Sequence, residues 1–201
     1  MIKAAIFDYG GVIIRMPPGL RYSNFLRSFF NVPKRTIKRE ATPFFELLQK
    51  GMITEYEFWK RLSLALGKPV LKNTKGAWRQ CLKDNFHIIP EMVRLVKEIK
   101  SKGVRTVILS NTIKSHIREI KESLGYKNFD VLIFSCIVGT RKPELKIFKI
   151  TLEKLKVSSE ECLFIDDERN NLKSAQKLGM KVILAENPKQ VIRDIRKILI
   201  R

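Results

Sequence analysis

The apolar pattern of this chain changes rhythm near residue 90. From Pro90 onward, short apolar runs alternate with longer amphipathic stretches. Pro90 suits the first turn of a helix with Val93, Val96 and Ile99 as its apolar stripe, and Gly103 closes it. Val104–Leu109 follows as a strand, then a helix over 113–124 ended by Gly125, and a strand over Val131–Ser135. The series continues with a helix over Glu144–Lys156, a strand over Cys162–Ile165 and a helix over Asn170–Leu178 ended by Gly179. A strand over Lys181–Leu184 and a last helix from near Pro188 complete it. Apolar runs this short, without strict alternation, read as strands buried on both faces. Their alternation with helices predicts an α/β protein, a parallel sheet with helices on both sides. Right-handed crossovers then gather every strand's carboxyl end along one edge.

The first ninety residues read differently. Ala5-Ile6-Phe7-Asp8-Tyr9-Gly10-Gly11-Val12-Ile13-Ile14 is an apolar run, an acid, two glycines and a second apolar run. It predicts a strand over residues 3–8 that gives out at Asp8 and a sharp turn. Pro17-Pro18-Gly19 is a break, and from Leu20 to about Phe86 only helical patterning appears. Phe25, Phe29 and Phe30 share one side of a first helix, and Gly51 stops a second that spans Lys34–Lys50. Thr54-Glu55-Tyr56-Glu57 has the spacing of a capping box, so a third helix starts at Glu55; it ends near Leu66, before Gly67 and Pro69. A fourth covers about Lys75–Lys83. Trp59 and Trp78 fall on helical stripes and read as core. The expectation is a helical insertion of about 70 residues, packed by apolar stripes, which divides the chain into residues 1–14, an insertion over 15–87 and a main body over 88–201.

Composition narrows the class. A chain of 201 residues buries enough surface to need no staple, and its three cysteines, Cys81, Cys136 and Cys162, show no metal or disulfide spacing. They read as reduced thiols of a cytoplasmic protein. Neither a signal peptide nor an apolar run of bilayer-spanning length is expected. The net charge of +20 favours anionic partners. Its lysines and arginines are spread along helix faces with no block of like charge, which argues against nucleic acid as the principal partner and equally suits a thermophile's surface.

The strand ends carry the candidate chemistry. Asp8 ends the first, Ser110-Asn111-Thr112 the second, Arg141-Lys142 follows the third, and Asp166-Asp167 ends the fourth. Carboxyl ends of parallel strands are where ligands bind in such sheets. Three carboxylates in a small space need a cation to neutralise them or a proton on one. A small set of oxygen ligands suits Mg²⁺, which keeps several waters and accepts a phosphate. Ser110, a backbone N–H near Asn111 and Lys142 are donors for phosphoryl oxygens, and an Asp is able to attack phosphorus. Each piece also has a plainer role: Ser110 and Asn111 as a helix cap, Lys142 as a loop lysine, Asp166-Asp167 as dipole partners of the next helix. His87 and His116 lack partners at ligand spacing and read as surface or cap residues, and Arg15 reads as an anion contact or a helix-surface residue.

Taken together, Phe7-Asp8-Tyr9-Gly10-Gly11-Val12, Leu109-Ser110-Asn111, Arg141-Lys142-Pro143 and Phe164-Ile165-Asp166-Asp167 with Asn171 resemble the four motifs of the haloacid dehalogenase-like hydrolase superfamily. The resemblance implies a three-layer Rossmann-like sheet with a helical cap inserted after the first strand. It implies Asp8 as nucleophile of a Mg²⁺-dependent phosphatase that passes through an aspartyl-phosphate. Asp8, the Gly10 carbonyl and Asp167 would be metal ligands, with Asp166 assisting. Ser110, Asn111 and Lys142 would bind the phosphate, Lys142 would also restrain Asp8, and Asn171 would orient the acids. A small phosphorylated metabolite is the implied substrate.

One position departs from the pattern. Most phosphatases of this family carry a general-acid Asp two residues after the nucleophile, where this chain has Gly10. General acid catalysis contributes roughly 10²- to 10⁴-fold. The expectation is therefore a substrate with a good leaving group, such as a glycosyl, acyl or aryl phosphate, or a cap side chain that supplies the proton. Two other readings are a metal-independent haloacid dehalogenase and a non-catalytic or RNA-binding member of the fold. The first typically has a Tyr two residues after the nucleophile, whereas Tyr9 is one residue after and faces the other way in an extended segment.

Overall fold

The computed structural model describes residues 1–15, 22–85, 87–124 and 128–199, with the backbone alone at Asp84, Ser123 and Leu124. The Pro17-Pro18-Gly19 break, Leu20, Phe86 and the helix stop at Gly125 lie outside the described residues.

Five strands form one parallel sheet: β1 (Ala4–Phe7), β4 (Arg105–Ser110), β5 (Val131–Phe134), β6 (Cys162–Asp166) and β7 (Lys181–Leu184). Their order is β5-β4-β1-β6-β7. The first strand of the chain therefore sits in the middle, buried at every residue. Alternating side chains feed two separate apolar layers. Ala5, Phe7, Ile108, Leu163 and Ile165 face one layer, to which α5 (Pro90–Ser101) and α10 (Pro188–Leu199) contribute. Ala4, Ile6, Val107, Leu109 and Phe164 face the other, covered by α8 (Leu145–Leu155) and α9 (Arg169–Lys177). This is the parallel sheet with helices on both sides that the alternation predicts, and the three-layer Rossmann-like arrangement that the resemblance implies.

The helical stretch contains α1 (Tyr22–Phe30), α2 (Lys34–Gln49), α3 (Glu55–Ala65) and α4 (Ala77–Asn85). Their apolar faces meet in a cluster of their own around Leu26, Ile37, Phe58, Trp59, Leu62 and Trp78, joined from the main body by Ile113. Both tryptophans are buried there. The capping box forms: the Glu57 amide donates to Thr54 Oγ1 at 3.2 Å and the Thr54 amide to Glu57 Oε2 at 2.7 Å.

Three local expectations need correction. A two-residue antiparallel pair, β2 (Ile14–Arg15) with β3 (His87–Ile88), brackets the four helices. Arg15 thus lies on a strand opposite His87, and runs this short leave no periodic signal. The predicted strand over 131–135 loses its last residue, because Ser135 turns into the short helix α7 (Ser135–Val138). His116 is half-buried rather than fully on the surface. It ends a 3₁₀ turn ahead of α6 (Ile117–Leu124), sits edge-on to Trp78, and shares a 3.0 Å hydrogen bond with the Trp78 carbonyl.

Candidate active site

Register brings the strand ends together. Phe7 pairs with Ile108 on one side and Ile165 on the other, so Asp8 emerges one residue beyond, between the ends of β4 and β6. The Asp8 amide donates to the Ile165 carbonyl at 2.8 Å. Beyond it the chain closes a tight loop, in which the Ile13 and Ile14 amides both donate to the Tyr9 carbonyl at 3.0 Å. Of the two glycines, Gly11 is the one the turn requires. Its φ is +81°, and a Cβ there would lie 2.5 Å from Asp167 Oδ2. Gly10 is not left-handed, so its lack of a side chain is not dictated by its backbone.

Lys142 is the centre of the charge arrangement. It is 1% exposed, and its Nζ donates to Asp8 Oδ1 at 2.8 Å and to Asp166 Oδ2 at 2.7 Å. Burial alone would lower the lysine pKa, but the carboxylates of Asp8 and Asp166 win and raise it. The loop carrying Lys142 is tied down by Asn111. Its side chain donates to the Lys142 carbonyl and accepts from the Lys142 amide, both at 2.8 Å. The Asn111 side-chain amide is thus committed to the Lys142 backbone. Ser110 ends β4, buried beside Phe134.

Asp166 is wholly buried and heavily bonded. Its Oδ1 accepts from the Glu168 amide at 2.8 Å, and Asn171 Nδ2 donates to its two oxygens at 3.0 and 3.1 Å. Asp167 is exposed, above Gly11. Asp8, Asp166 and Asp167 each offer a carboxylate oxygen within 4.8 Å of the others. Although the residue as a whole is exposed, its carboxylate lies against Gly11, and that local loss of solvent, with repulsion from Asp166, pushes Asp167 up to about 6. Burial pushes Asp8 up to about 7, against the pull of Lys142 and with the repulsion of Asp166. One ammonium against three carboxylates leaves two negative charges uncompensated. A divalent cation matches that deficit in charge and in its preference for oxygen. The donor set therefore fits such an ion.

The structure thus brings together Asp8, Gly10, Ser110, Asn111, Lys142, Asp166, Asp167 and Asn171 at one sheet edge. Sequence reasoning missed Ser135. Its Oγ accepts from the Thr112 amide at 2.9 Å and donates to the Thr112 carbonyl at 3.1 Å, which holds the loop after β4 in place. It also missed Gln49, whose Nε2 approaches the Asn111 carbonyl at 3.5 Å. No local pattern announces either contact, since both join segments far apart in the chain.

A family model described as haloacid dehalogenase-like hydrolase matches residues 2–179. The chain belongs to that family. The sesquiterpene phosphatase astK of Aspergillus oryzae is 28% identical over 185 residues, spanning 89% of this chain and 87% of the relative. The D-ribitol-5-phosphate phosphatase of Bacteroides thetaiotaomicron is 27% identical over 197 residues, 93% of each chain. A crystal structure of a HAD family enzyme from Bacteroides thetaiotaomicron, in complex with magnesium and inorganic phosphate, superposes with a TM-score of 0.75. It is 25% identical, over 93% of this chain and 96% of that one. Other curated relatives are far longer, and the chain spans only 19% to 20% of their length. No helix among the described residues is long and apolar enough to cross a membrane.

Proposed function

We propose that this protein is a Mg²⁺-dependent phosphatase that hydrolyses a small phosphorylated metabolite through an aspartyl-phosphate on Asp8. The observation that carries this reading is the buried ammonium of Lys142, which touches both Asp8 and Asp166 while a third carboxylate, Asp167, stands within ligand reach of the pair. Phosphatase relatives of nearly full coverage support the reaction class. Asp8, the Gly10 carbonyl and Asp167 would hold the Mg²⁺, with Asp166 assisting, and the ion would neutralise phosphoryl oxygens.

The protein's own groups do the rest. Lys142 holds Asp8 Oδ1 at 2.8 Å, and the Tyr9 amide donates to the same oxygen at 2.7 Å, so the carboxylate is oriented before substrate arrives. Its other oxygen, Oδ2, is the attacking atom. It forms a bond to phosphorus as the bond to the leaving oxygen breaks, and that oxygen departs as a stabilised anion or takes its proton from water. Ser110, the Asn111 backbone N–H and Lys142 receive the phosphoryl oxygens. Water then attacks phosphorus, and the P–O bond to Asp8 breaks to release phosphate and restore the carboxylate. Asn171 and the Glu168 amide keep Asp166 in place against Lys142. Gly10 supplies no acid for the leaving oxygen, which favours glycosyl, acyl or aryl phosphates. We take residues 15–87 as a cap that closes over the site and excludes water. The burial of Tyr9 in the apolar layer beneath the sheet favours this reading over dehalogenase chemistry, which typically places a Tyr at the site.

The test is a panel of phosphate esters with and without Mg²⁺, run beside Asp8→Asn. Turnover that needs Mg²⁺ and vanishes in the variant, with phosphate trapped on the wild-type protein in hydroxylamine-sensitive form, is the expected result. Hydrolysis that survives Asp8→Asn would overturn the assignment.

A further inference from the structure

The last turn of α2 lands on the two loops that carry the proposed phosphate clamp. Along most of its length α2 belongs to the helical cluster, through Ile37, Ala41 and Leu48. Its end is occupied differently. Gly51, just beyond the helix, has φ +67°, and a Cβ there would lie 2.3 Å from the Cys136 carbonyl oxygen. Backbone therefore meets the backbone of α7 with no side chain between. Glu46 and Lys50 then grip the loop that follows α7. Glu46 Oε1 accepts from Arg141 Nη1 at 2.9 Å, and Lys50 Nζ donates to Glu144 Oε1 at 2.6 Å. Gln49, between them, reaches the Asn111 carbonyl.

The two ion pairs bracket Lys142, one residue before it and two after. Between those points the loop is closed on itself: the Glu144 amide donates to the Arg141 carbonyl at 2.8 Å, and Thr140 Oγ1 donates to Glu144 Oε2 at 2.8 Å. The charges run in complementary order, acid then base on α2, base then acid on the loop. Glu46 and Lys50 stand four apart, the spacing at which a helical Glu and Lys pair with each other, yet each reaches across to the loop. Partly exposed pairs of this kind add little to stability. What they add here is position, because Lys142 hangs between them and its Nζ must meet Asp8 Oδ1 and Asp166 Oδ2 at once.

We propose that Glu46 and Lys50 are positioning residues of the reaction. Acting through Arg141 and Glu144, they set the Lys142 loop so that its ammonium holds Asp8 in line with the phosphoryl group. This rests on the phosphatase reading above. The helical insertion then takes part in the chemical step of every substrate, and not only in choosing its organic part. Displacing a group of a preorganised site by about 1 Å costs up to about 10²-fold in rate. A loop released at one of its two bracket points should lose part of that, about tenfold.

The experiment follows p-nitrophenyl phosphate and the best-hydrolysed ester of the panel above at saturating Mg²⁺. Glu46→Gln and Lys50→Met each remove one charge, and Lys50→Arg keeps it. In the first two, kcat falls about tenfold on both esters while KM and Tm change little; Lys50→Arg recovers most of the loss. Lys50→Met combined with Glu144→Gln loses no more than Glu144→Gln alone, because Lys50 acts through Glu144. In the metal-free protein, the Lys142 and Glu144 amides, bonded to Asn111 Oδ1 and the Arg141 carbonyl, exchange hydrogen faster in both variants than in wild type. If Glu46→Gln does not fold, Lys50→Met decides alone. An unchanged kcat, amides that exchange as in wild type, a loss confined to KM or to one ester, or additive losses in the double variant overturn the positioning role and leave the phosphatase reading standing. A wild type that hydrolyses no ester with Mg²⁺ overturns both.

Discussion

Asp8→Asn, measured without metal, makes the protein more stable while removing its proposed nucleophile. The carboxyl of Asp8 moves from 3.8 to about 7 on folding, mainly through burial. Between these values the folded chain holds the proton more tightly than the unfolded chain. Stability therefore falls as pH rises through that window and stays reduced above it. At about 1.4 kcal/mol per unit, the charged carboxylate costs the fold at most about 4 kcal/mol at pH 8. Asn removes that charge. It also loses the charged contact to Lys142 Nζ at 2.8 Å, but Lys142 keeps Asp166 at 2.7 Å. The net gain is then about 1–3 kcal/mol, since a paired charge recovers part of its burial cost. For a chain of this size that is a rise of roughly 3–8 °C in Tm. The assay is thermal unfolding in EDTA at pH 8 and at pH 5. The variant should melt above wild type at pH 8, by a margin that shrinks at pH 5 where native Asp8 is already protonated. Adding Mg²⁺ should stabilise wild type more than the variant. A variant that melts at or below wild type at pH 8, or a margin unchanged by pH, would refute the uncompensated-charge argument.

Other consequences follow from individual contacts. Gly11→Ala forces a Cβ to within 2.5 Å of Asp167 Oδ2 at φ +81°; it should cost about 1–2 kcal/mol and lower Mg²⁺ affinity in a calorimetric titration. Ser135→Ala strands the Thr112 amide and should cost about 1–3 kcal/mol in urea unfolding, with a loss of phosphatase turnover as the loop after β4 loosens. Burial holds His116 down at about 4, opposed by its bond to the Trp78 carbonyl and by Glu119. The unfolded chain then binds the extra proton between about 6.5 and 4, so acidification through that window should remove up to about 3 kcal/mol. His116→Gln should flatten that part of the stability–pH curve, and a slope unchanged in the variant would sink the assignment.

Much of the arrangement was legible because it is periodic or local. The five strands announce themselves as apolar runs, but their order in the sheet does not, since the edge strand β5 is as apolar as the central β1. The capping box at Thr54 and Glu57 is a four-residue pattern with one geometry, and it forms as read. The clustering of Asp8, Ser110, Lys142 and Asp166 is a topological consequence of parallel strands, so no distance had to be known. What the sequence does not carry is the pairing of distant polar groups. Asn111 reads as a phosphate ligand or a cap, yet its side chain grips the Lys142 backbone 31 residues away. His116 reads as a surface or cap residue because nothing near it in sequence reveals that Trp78, from α4, packs edge-on against it. The two-stranded link between residues 14–15 and 87–88 leaves no trace, because two residues cannot show a period.

Gly10 is where these two kinds of information meet. Sequence identifies it as the position of an absent acid, and the backbone there is not left-handed, so an L side chain is not barred by conformation. The glycine that the turn demands is its neighbour Gly11, pressed under Asp167. Gly10→Asp is therefore an addition to the site that the turn's backbone does not oppose. It should speed hydrolysis of glycerol phosphate, whose leaving oxygen needs a proton, by about 10²-fold or more, and p-nitrophenyl phosphate much less. Kinetics of the two esters at saturating Mg²⁺ decide the matter. An equal effect on both would mean that the leaving oxygen is already protonated by another group, and that the catalytic consequence drawn from Gly10 is wrong.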